Sequence, residues 1–575
     1  MSDLIMPENE AVEAEESFEE PMPAPAPAPP PELSKQQRWM IGAAVIIVVL
    51  GVYVLRLNAI VGLFVDDAWY VLLAKALATG QGYTLINSPT AGILPLYPPG
   101  FPALLSLFYR LSPHFPENLW LLKSVSIAAM IGAGAASYYY FAYLRDCPKH
   151  LALLIGAGVS LCSPLVFLAT STTMSECVFT FSLIAAVLLI EKSVQQKGDW
   201  KYLVAGSVVA SFAFLTRSTA LGLLAAVGLY LLKERRFRSL LIFSLLVLAL
   251  CSPWVIYSRR HVPTPEQRDE QRGHIVETYI NAFWQRVAGD PNSGTVSVGD
   301  IPARVWTNFL GLAGRDLGRI LVAPIAEDLT REALQRRTAS GDGQTFEFDI
   351  GSLLSFFLAA FTLLGFFFVI KDRLGLAELV VAFSLLLTFL WPFEVLRFVL
   401  PLIPFLLFYL ARGWRVLFGL HQRLGETLNV RRQWIGVSVV VGMIVLINLW
   451  GSARPLFPSS ESVVKDSLNA TSNFEENRLL MQWISDTTPP DSVIATQNPP
   501  MVYLFTGRKT IGSSEPEKRW EVWKKLNVVY WARTSPIPLG PISDEERRYR
   551  IAYRTPGNLE LRVLDLGNPQ TRNPW

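Results

Sequence analysis

The chain has 575 residues, of which 51% are hydrophobic and 17% charged. That is too apolar and too sparsely charged for an ordinary water-soluble enzyme of this length. A net charge of +3, with no basic stripe carrying interleaved aromatics, leaves nucleic-acid binding without support.

From the N-terminus, residues 1–33 are acidic and then alternate Pro and Ala, a composition that cannot bury a core. Lys35 and Arg38 precede an apolar run with no small-residue cleavage site behind it. An uncleaved first span is expected, with residues 1–38 a disordered cytoplasmic tail. A span needs about 20 mostly apolar residues. That test predicts about eleven helices, near 39–60, 118–143, 151–170, 176–191, 201–215, 218–232, 239–257, 351–370, 376–391, 397–412 and 434–451.

The charges give an independent check on orientation. With the N-terminus inside, the cytoplasmic turns hold Arg145 and Lys149; Lys192, Lys197 and Lys201; Lys233, Arg235, Arg236 and Arg238; Lys371 and Arg373; then Arg415, Arg423, Arg431 and Arg432. Each of these turns is basic, as the positive-inside rule requires. The expected fold class is a mainly α, polytopic membrane protein with external juxtamembrane helices and a small C-terminal α/β domain. Its divisions are a transmembrane domain over 39–451, with external loops at 61–117 and 258–350, and an extracytoplasmic domain over 452–575. In that last domain the pattern predicts helices at Phe474–Ser485 and Pro499–Phe505. It predicts strands at Ser492–Thr496, Asn527–Trp531, Tyr549–Arg554 and Leu559–Leu566.

The candidate chemistry lies on the external side. Asp66 and Asp67 directly follow the first apolar run, and ionised groups near hydrocarbon are costly enough to mark functional sites. Capping of a following amphipathic helix, Leu72–Gly80, is the plainer explanation of this pair. Arg217 and Arg397 occupy short external turns, against the charge pattern of the rest of the chain. Snorkelling explains them in one way, and bidentate phosphate binding in another. Lys75 is a further phosphate-binding candidate. Glu176 opens the fourth span on the same side, either as dipole chemistry or as a second acidic contact. Tyr70, Tyr83 and Tyr97 are candidates for sugar contact. Cys147, Cys162, Cys177 and Cys251 read as small buried apolar residues. The chain has neither a phosphate-cradling glycine loop followed by Lys-Ser/Thr nor paired histidines at zinc-binding spacing.

Asp66-Asp67-x-x-Tyr70 followed by Tyr97-Pro98-Pro99-Gly100 resembles the first external loop of polytopic glycosyltransferases of the C-type fold. The likeness is to the protein mannosyltransferase and lipid A aminoarabinose transferase branch. Thr173-Met174-Ser175-Glu176, Leu215-Thr216-Arg217 and Arg397-Phe398-Val399-Leu400-Pro401 follow in the order of that branch, as does Val493–Thr496 through Tyr503–Arg508. The resemblance implies an inverting transferase that moves a sugar from a polyisoprenyl-phosphate donor to a lipid, glycan or protein acceptor outside a bacterial-type plasma membrane. It implies Asp66 as base, Asp67 positioning it or binding donor or metal, Glu176 as a second acidic contact, and Arg217 and Arg397 neutralising the lipid phosphate. A divalent metal, if one takes part, would fall to Asp66, Asp67 and Glu176. The aminoarabinose transferases carry Glu-Lys-Pro where this chain has Tyr97-Pro98-Pro99, so that branch's lysine is missing here. The alternative reading is a transporter or flippase of lipid-linked glycans, which would show inverted halves around a midplane site.

Overall fold

The computed structural model describes residues 35–567, apart from 91, 197–198, 266, 268–277, 288–289, 326–349, 393–394, 423–429, 457–460, 514–515, 536–538 and 540. Of the expected disordered tail over 1–38, residues 1–34 lie outside the described residues and 35–38 open a helix; much of the second external loop also lies outside them. The chain divides into two compact units, Met1–Val45 and Ile46–Trp575. In the first, the described residues belong to the helix α1 (Lys35–Arg56), which continues into the second unit. Everything below concerns the second unit.

After α1 come two helices of the first loop, α2 (Asp66–Ala78) and α3 (Gly100–Leu111). The apolar bundle follows: α4 (Leu119–Tyr143), α5 (Lys149–Ser160), α6 (Ser163–Ser171), α7 (Glu176–Gln195), α8 (Trp200–Thr216), α9 (Leu221–Lys233) and α10 (Phe237–Arg260). It is completed by Ile350–Asp372, Leu376–Leu390, Ile403–Gln422 and Val430–Ala453. Among the described residues six helices are long and apolar enough to cross a membrane, or seven if α5 and α6 form one bent span. Four of the eleven expected positions hold apolar helices of only 10–17 residues. The protein is thus a multi-pass membrane protein.

The expected continuous span over 151–170 is instead bent by 41° between α5 and α6. Pro164 explains the break. It sits in the first turn of α6, where its missing N–H costs nothing, and it could not have continued α5. The expected amphipathic helix at Leu72–Gly80 also differs: α2 begins at Asp66 and is buried on nearly every side from Asp67 to Ala74. It is wrapped by α3 and by the C-terminal helix Pro499–Thr506, so it has no solvated face to be amphipathic against.

Glycine sets one tight crossing. A Cβ on Gly413 would run into the Phe361 carbonyl, and one on Gly365 into that of Tyr409, so Ile350–Asp372 and Ile403–Gln422 approach backbone to backbone. Small residues permit such packing between membrane helices.

At the end of the bundle away from α2, Arg145 holds Glu378 with two hydrogen bonds of 3.1 and 2.5 Å. Tyr409 donates to Glu378 at 3.0 Å, and Glu191 of α7 accepts the Leu376 N–H at 3.1 Å.

Between the bundle helices a short antiparallel pair forms, β1 (Gln285–Val287) with β2 (Asp290–Thr295). The C-terminal region carries β3 (Val493–Thr496), β4 (Lys509–Gly512), β5 (Val528–Arg533), β6 (Arg550–Arg554) and β7 (Arg562–Asp565), ordered β4-β3-β5-β7-β6. β3 runs parallel to β4 and β5, while β7 runs antiparallel to β5 and β6. Alternation buries both faces. Ile494, Ala532 and Val563 pack with Leu480 and Ile484 of the helix Glu461–Thr487. Ala495, Trp531 and Leu564 pack with Trp520 and Trp523 on the other side. The four expected strands form; β4 is additional, and Gly507 ends the preceding helix at φ +70°.

Gly413→Ala should destabilise the protein by about 1–3 kcal/mol, because the added methyl meets backbone that cannot rotate away. Thermal unfolding in detergent measures it.

Candidate functional site

The site starts from a strained turn. Val65, at φ +60°, is the residue before α2, so Asp66 is the first helical residue and not the side-chain cap expected of it. Asp67 closes that turn, its two oxygens accepting the backbone N–H of Gly62 at 2.9 Å and of Phe64 at 3.2 Å. Burial pushes its carboxyl up to about 6, while the Gly62 and Phe64 hydrogen bonds and the Lys123 charge pull it back. Asp67 is therefore fully engaged in shaping the loop, and Asp66 is left to face the cluster.

Asp66 Oδ1 accepts from the Tyr97 hydroxyl at 2.5 Å, and Oδ2 from Arg397 Nη2 at 3.0 Å. Burial first, and then the Asp66 charge, drives the Tyr97 hydroxyl well above its ordinary range, so it stays a donor. Arg397 Nε donates to Glu176 Oε1 at 3.1 Å, and Arg217 Nη1 lies 3.0 Å from the same oxygen. Arg217 also donates to Ser175 Oγ at 3.1 Å, and Ser175 meets the Tyr70 hydroxyl at 3.0 Å. The outcome is one continuous chain, Tyr97–Asp66–Arg397–Glu176–Arg217–Ser175–Tyr70. Its two acids and two guanidiniums sum to zero charge.

Local sequence explains each placement. Arg217 is extended (φ −146°, ψ 128°), at the break between α8 and the 3-10 turn before α9. Glu176 is the first residue of α7, at the positive end of that helix. The Tyr97-Pro98-Pro99 turn is fixed by Gly100, whose Cβ would come 2.7 Å from the Leu215 carbonyl group beside Arg217. Exposure is graded across the cluster. The Glu176 side chain is 0% exposed and Arg217 10%, whereas Asp66 is 17% and Arg397 32%. Arg397 Nη1 makes no hydrogen bond among the described residues.

The sequence candidates thus divide. Asp66, Glu176, Arg217 and Arg397 are brought together. Lys75 is not: nine residues along α2 from Asp66, it is roughly 13 Å away, over the Tyr503 ring at 5.3 Å. Tyr70, Tyr83 and Tyr97 are buried, with Tyr83 donating to the Tyr97 carbonyl at 2.6 Å. They hold the acidic turn in place. Three further participants had escaped notice. Lys123, fully buried in α4, donates to the carbonyls of Asn58 (2.8 Å) and Thr170 (3.0 Å), tying the loop to α6. Asn498 donates to the Gly62 carbonyl at 2.7 Å. Lys509 donates to that of Ile86 at 2.8 Å, so the C-terminal domain clamps the loop at separate points. A lysine inside an apolar run was the readable signal for the first; the other two carried none.

Among the described residues no group of three or more His, Cys, Asp and Glu side chains is arranged to hold a metal ion. Arg397 already fills the space between Asp66 and Glu176, and Asp67 spends its oxygens on backbone N–H groups. These three carboxylates do not fit a cation.

Comparison with known proteins agrees with this architecture. Residues 97–257 match the family model described as dolichyl-phosphate-mannose-protein mannosyltransferase. The chain is similar to ArnT from Cupriavidus metallidurans bound to undecaprenyl phosphate, with TM-score 0.53 and 14% identity over 92% of this chain and 98% of that one. The apo state of the same protein gives TM-score 0.55 at 13% identity, with the same coverage. The chain shares the fold of these structures. An oligosaccharyltransferase from Archaeoglobus fulgidus, tethered with an acceptor peptide, shares it more distantly, at TM-score 0.50 and 11% identity over 89% of this chain and 70% of that one. No curated protein sequence matches. The mannosyltransferase-like and aminoarabinose-transferase-like resemblance read from the sequence is thereby supported.

Glu176→Ala should destabilise by about 3–5 kcal/mol, because it leaves two guanidiniums facing each other in a dry site. Tyr97→Phe, which removes one hydrogen bond, should cost about 1 kcal/mol. Chemical or thermal unfolding of the two variants side by side provides the comparison.

Proposed function

We propose that the protein is an inverting glycosyltransferase that moves a sugar from a polyprenyl-phosphate donor to an acceptor hydroxyl on the external face of the membrane. The observation that carries the reading is a partly exposed carboxylate, Asp66, hydrogen-bonded to a partly exposed guanidinium, Arg397, whose Nη1 makes no hydrogen bond among the described residues.

In this reaction the acceptor oxygen forms a new bond to the anomeric carbon as the carbon–oxygen bond to phosphate breaks. The acceptor proton goes to Asp66, and the bonding electron pair leaves on the phosphate. A base must lie within hydrogen-bond reach of the hydroxyl it deprotonates. Cations fixed in advance stabilise the charge developing on the leaving group. Arg397 is suited to both halves. Its fork can bind phosphate oxygens, and in turning toward them it gives up Asp66 Oδ2. Donor binding then frees that oxygen to accept a hydrogen bond from the acceptor hydroxyl.

The charge balance supports the same scheme. The resting cluster is neutral, and a proton on Asp66 makes it +1 as the phosphate departs with one more negative charge. Glu176 keeps Arg217 and Arg397 from drifting apart while this happens. The basic turns around Arg145, Lys233 and Lys371 support an orientation with the Asp66 side outside a bacterial-type plasma membrane. The acceptor would be a lipid, a glycan or a protein.

Asp66→Asn should lower transfer by about 10²–10⁴-fold while donor binding persists; product formation from a labelled polyprenyl-phosphate sugar reads it. Arg397→Ala should weaken donor binding as well. A variant Asp66→Asn with full turnover would remove the proposed base. Labelled lipid crossing the bilayer with no new glycosidic bond would favour a transporter.

A further inference from the structure

A cavity lies at the end of α2 opposite Asp66. It has a volume of about 660 Å³ and lies where the end of α2, the end of α3 and the turn before α4 meet Leu504 of the C-terminal domain. Its charged and titratable lining is Lys75, Arg110, His114 and Tyr109 against the single acid Glu117. The Lys75 ammonium has no oxygen partner among the described residues, and its aromatic neighbour Tyr503 is also approached by Lys509. Partial burial lowers the affinity of Lys75 for its proton. Arg110 donates to the Leu77 carbonyl at 3.1 Å and meets no carboxylate among the described residues.

The helix that supplies Arg110 to the lining also carries bare apolar side chains. Leu107 and Leu111, one turn apart on α3, are 56% and 77% exposed, and Trp120, at the start of α4, is 52% exposed. Bare leucines beside an arginine, with a tryptophan at the start of a span, are the pattern of a helix lying in the membrane interface. On that pattern, a cavity lined by Arg110 of that helix lies near the level of lipid headgroups. Unpaired cations at that level attract phosphate-bearing headgroups.

We propose that this cavity is a binding site for the headgroup of an anionic phospholipid, with Lys75 and Arg110 contacting its phosphate and Leu107 and Leu111 lying along its acyl chains. The site is separate from the Asp66 cluster and stands whether or not sugar transfer is the reaction. Its lining joins the external helices to the C-terminal domain, so an occupied cavity couples that domain to the lipid composition around it.

The test uses full-length protein in nanodiscs of phosphatidylcholine mixed with phosphatidylglycerol, released into native mass spectrometry. Wild type should retain one more phosphatidylglycerol than the double variant Lys75→Gln/Arg110→Gln, whose retention should be on the order of tenfold weaker. Lys75→Arg should keep it, which guards against misfolding as the explanation. Leu107→Asn/Leu111→Asn should lose it with both cations present. Equal retention by wild type and the double variant overturns the proposal. Displacement by excess inorganic phosphate would make the cavity a site for free anions, and displacement by undecaprenyl phosphate would give it to the sugar carrier. Either result also overturns the assignment.

Discussion

One buried carboxylate oxygen organises the site. Glu176 Oε1 receives Arg217 and Arg397 together, at 3.0 and 3.1 Å, on a side chain with no exposure. Two guanidiniums repel each other, and an acid alone in that place would be costly to ionise. Each group is tolerable only because the others are there. The arrangement joins the start of α7, the end of α8 and the short helix Val395–Val399, three elements far apart in the chain. Asp66 is added to it through Arg397, as its most accessible acid.

The same helix is fixed at its other end. Glu191, fifteen residues along α7 from Glu176, sits beside Arg145 and Glu378, and Leu376 donates to it. Fifteen residues of α-helix span about 22 Å, most of the way across a bilayer core. A helix pinned by ionic contacts at both ends, and packed with Cys177, Phe179, Leu183 and Val187 between them, is a rigid strut. Rigid support of this kind is what a preorganised electrostatic site requires. A lid-like account of the chemistry would have to place its motion elsewhere.

The acidic and basic members of the cluster were legible because they violate a local rule. Asp66 and Glu176 sit where hydrocarbon should exclude charge, and Arg217 and Arg397 sit in turns otherwise free of cations. What the sequence could not carry was direction. Asp66 and Asp67 are neighbours of one type, yet a positive φ at Val65 sends one toward the cluster and the other back onto its own loop. Lys75 shares a helix with Asp66, but α2 is long enough to deliver it to a different cavity. Lys123 was missed because one lysine does not spoil an apolar average over 25 residues. In the fold, the helical positions followed from hydropathy. The bend at Pro164 follows from the proline itself, whereas the strand β4, four residues long, forms through its pairing with β3.

The β4 strand has an outer edge, and the first loop covers it. Thr510 N donates to the Asn87 carbonyl at 2.8 Å, and the Asn87 amide donates to the Thr510 hydroxyl at 3.0 Å. Uncovered β edges recruit foreign strands and aggregate. A segment that seals such an edge cannot peel away without exposing it, so the folding of the soluble-looking sheet and the ordering of the acidic loop become a single event. Cutting the sheet from the chain would leave two sticky remnants where there had been one finished surface.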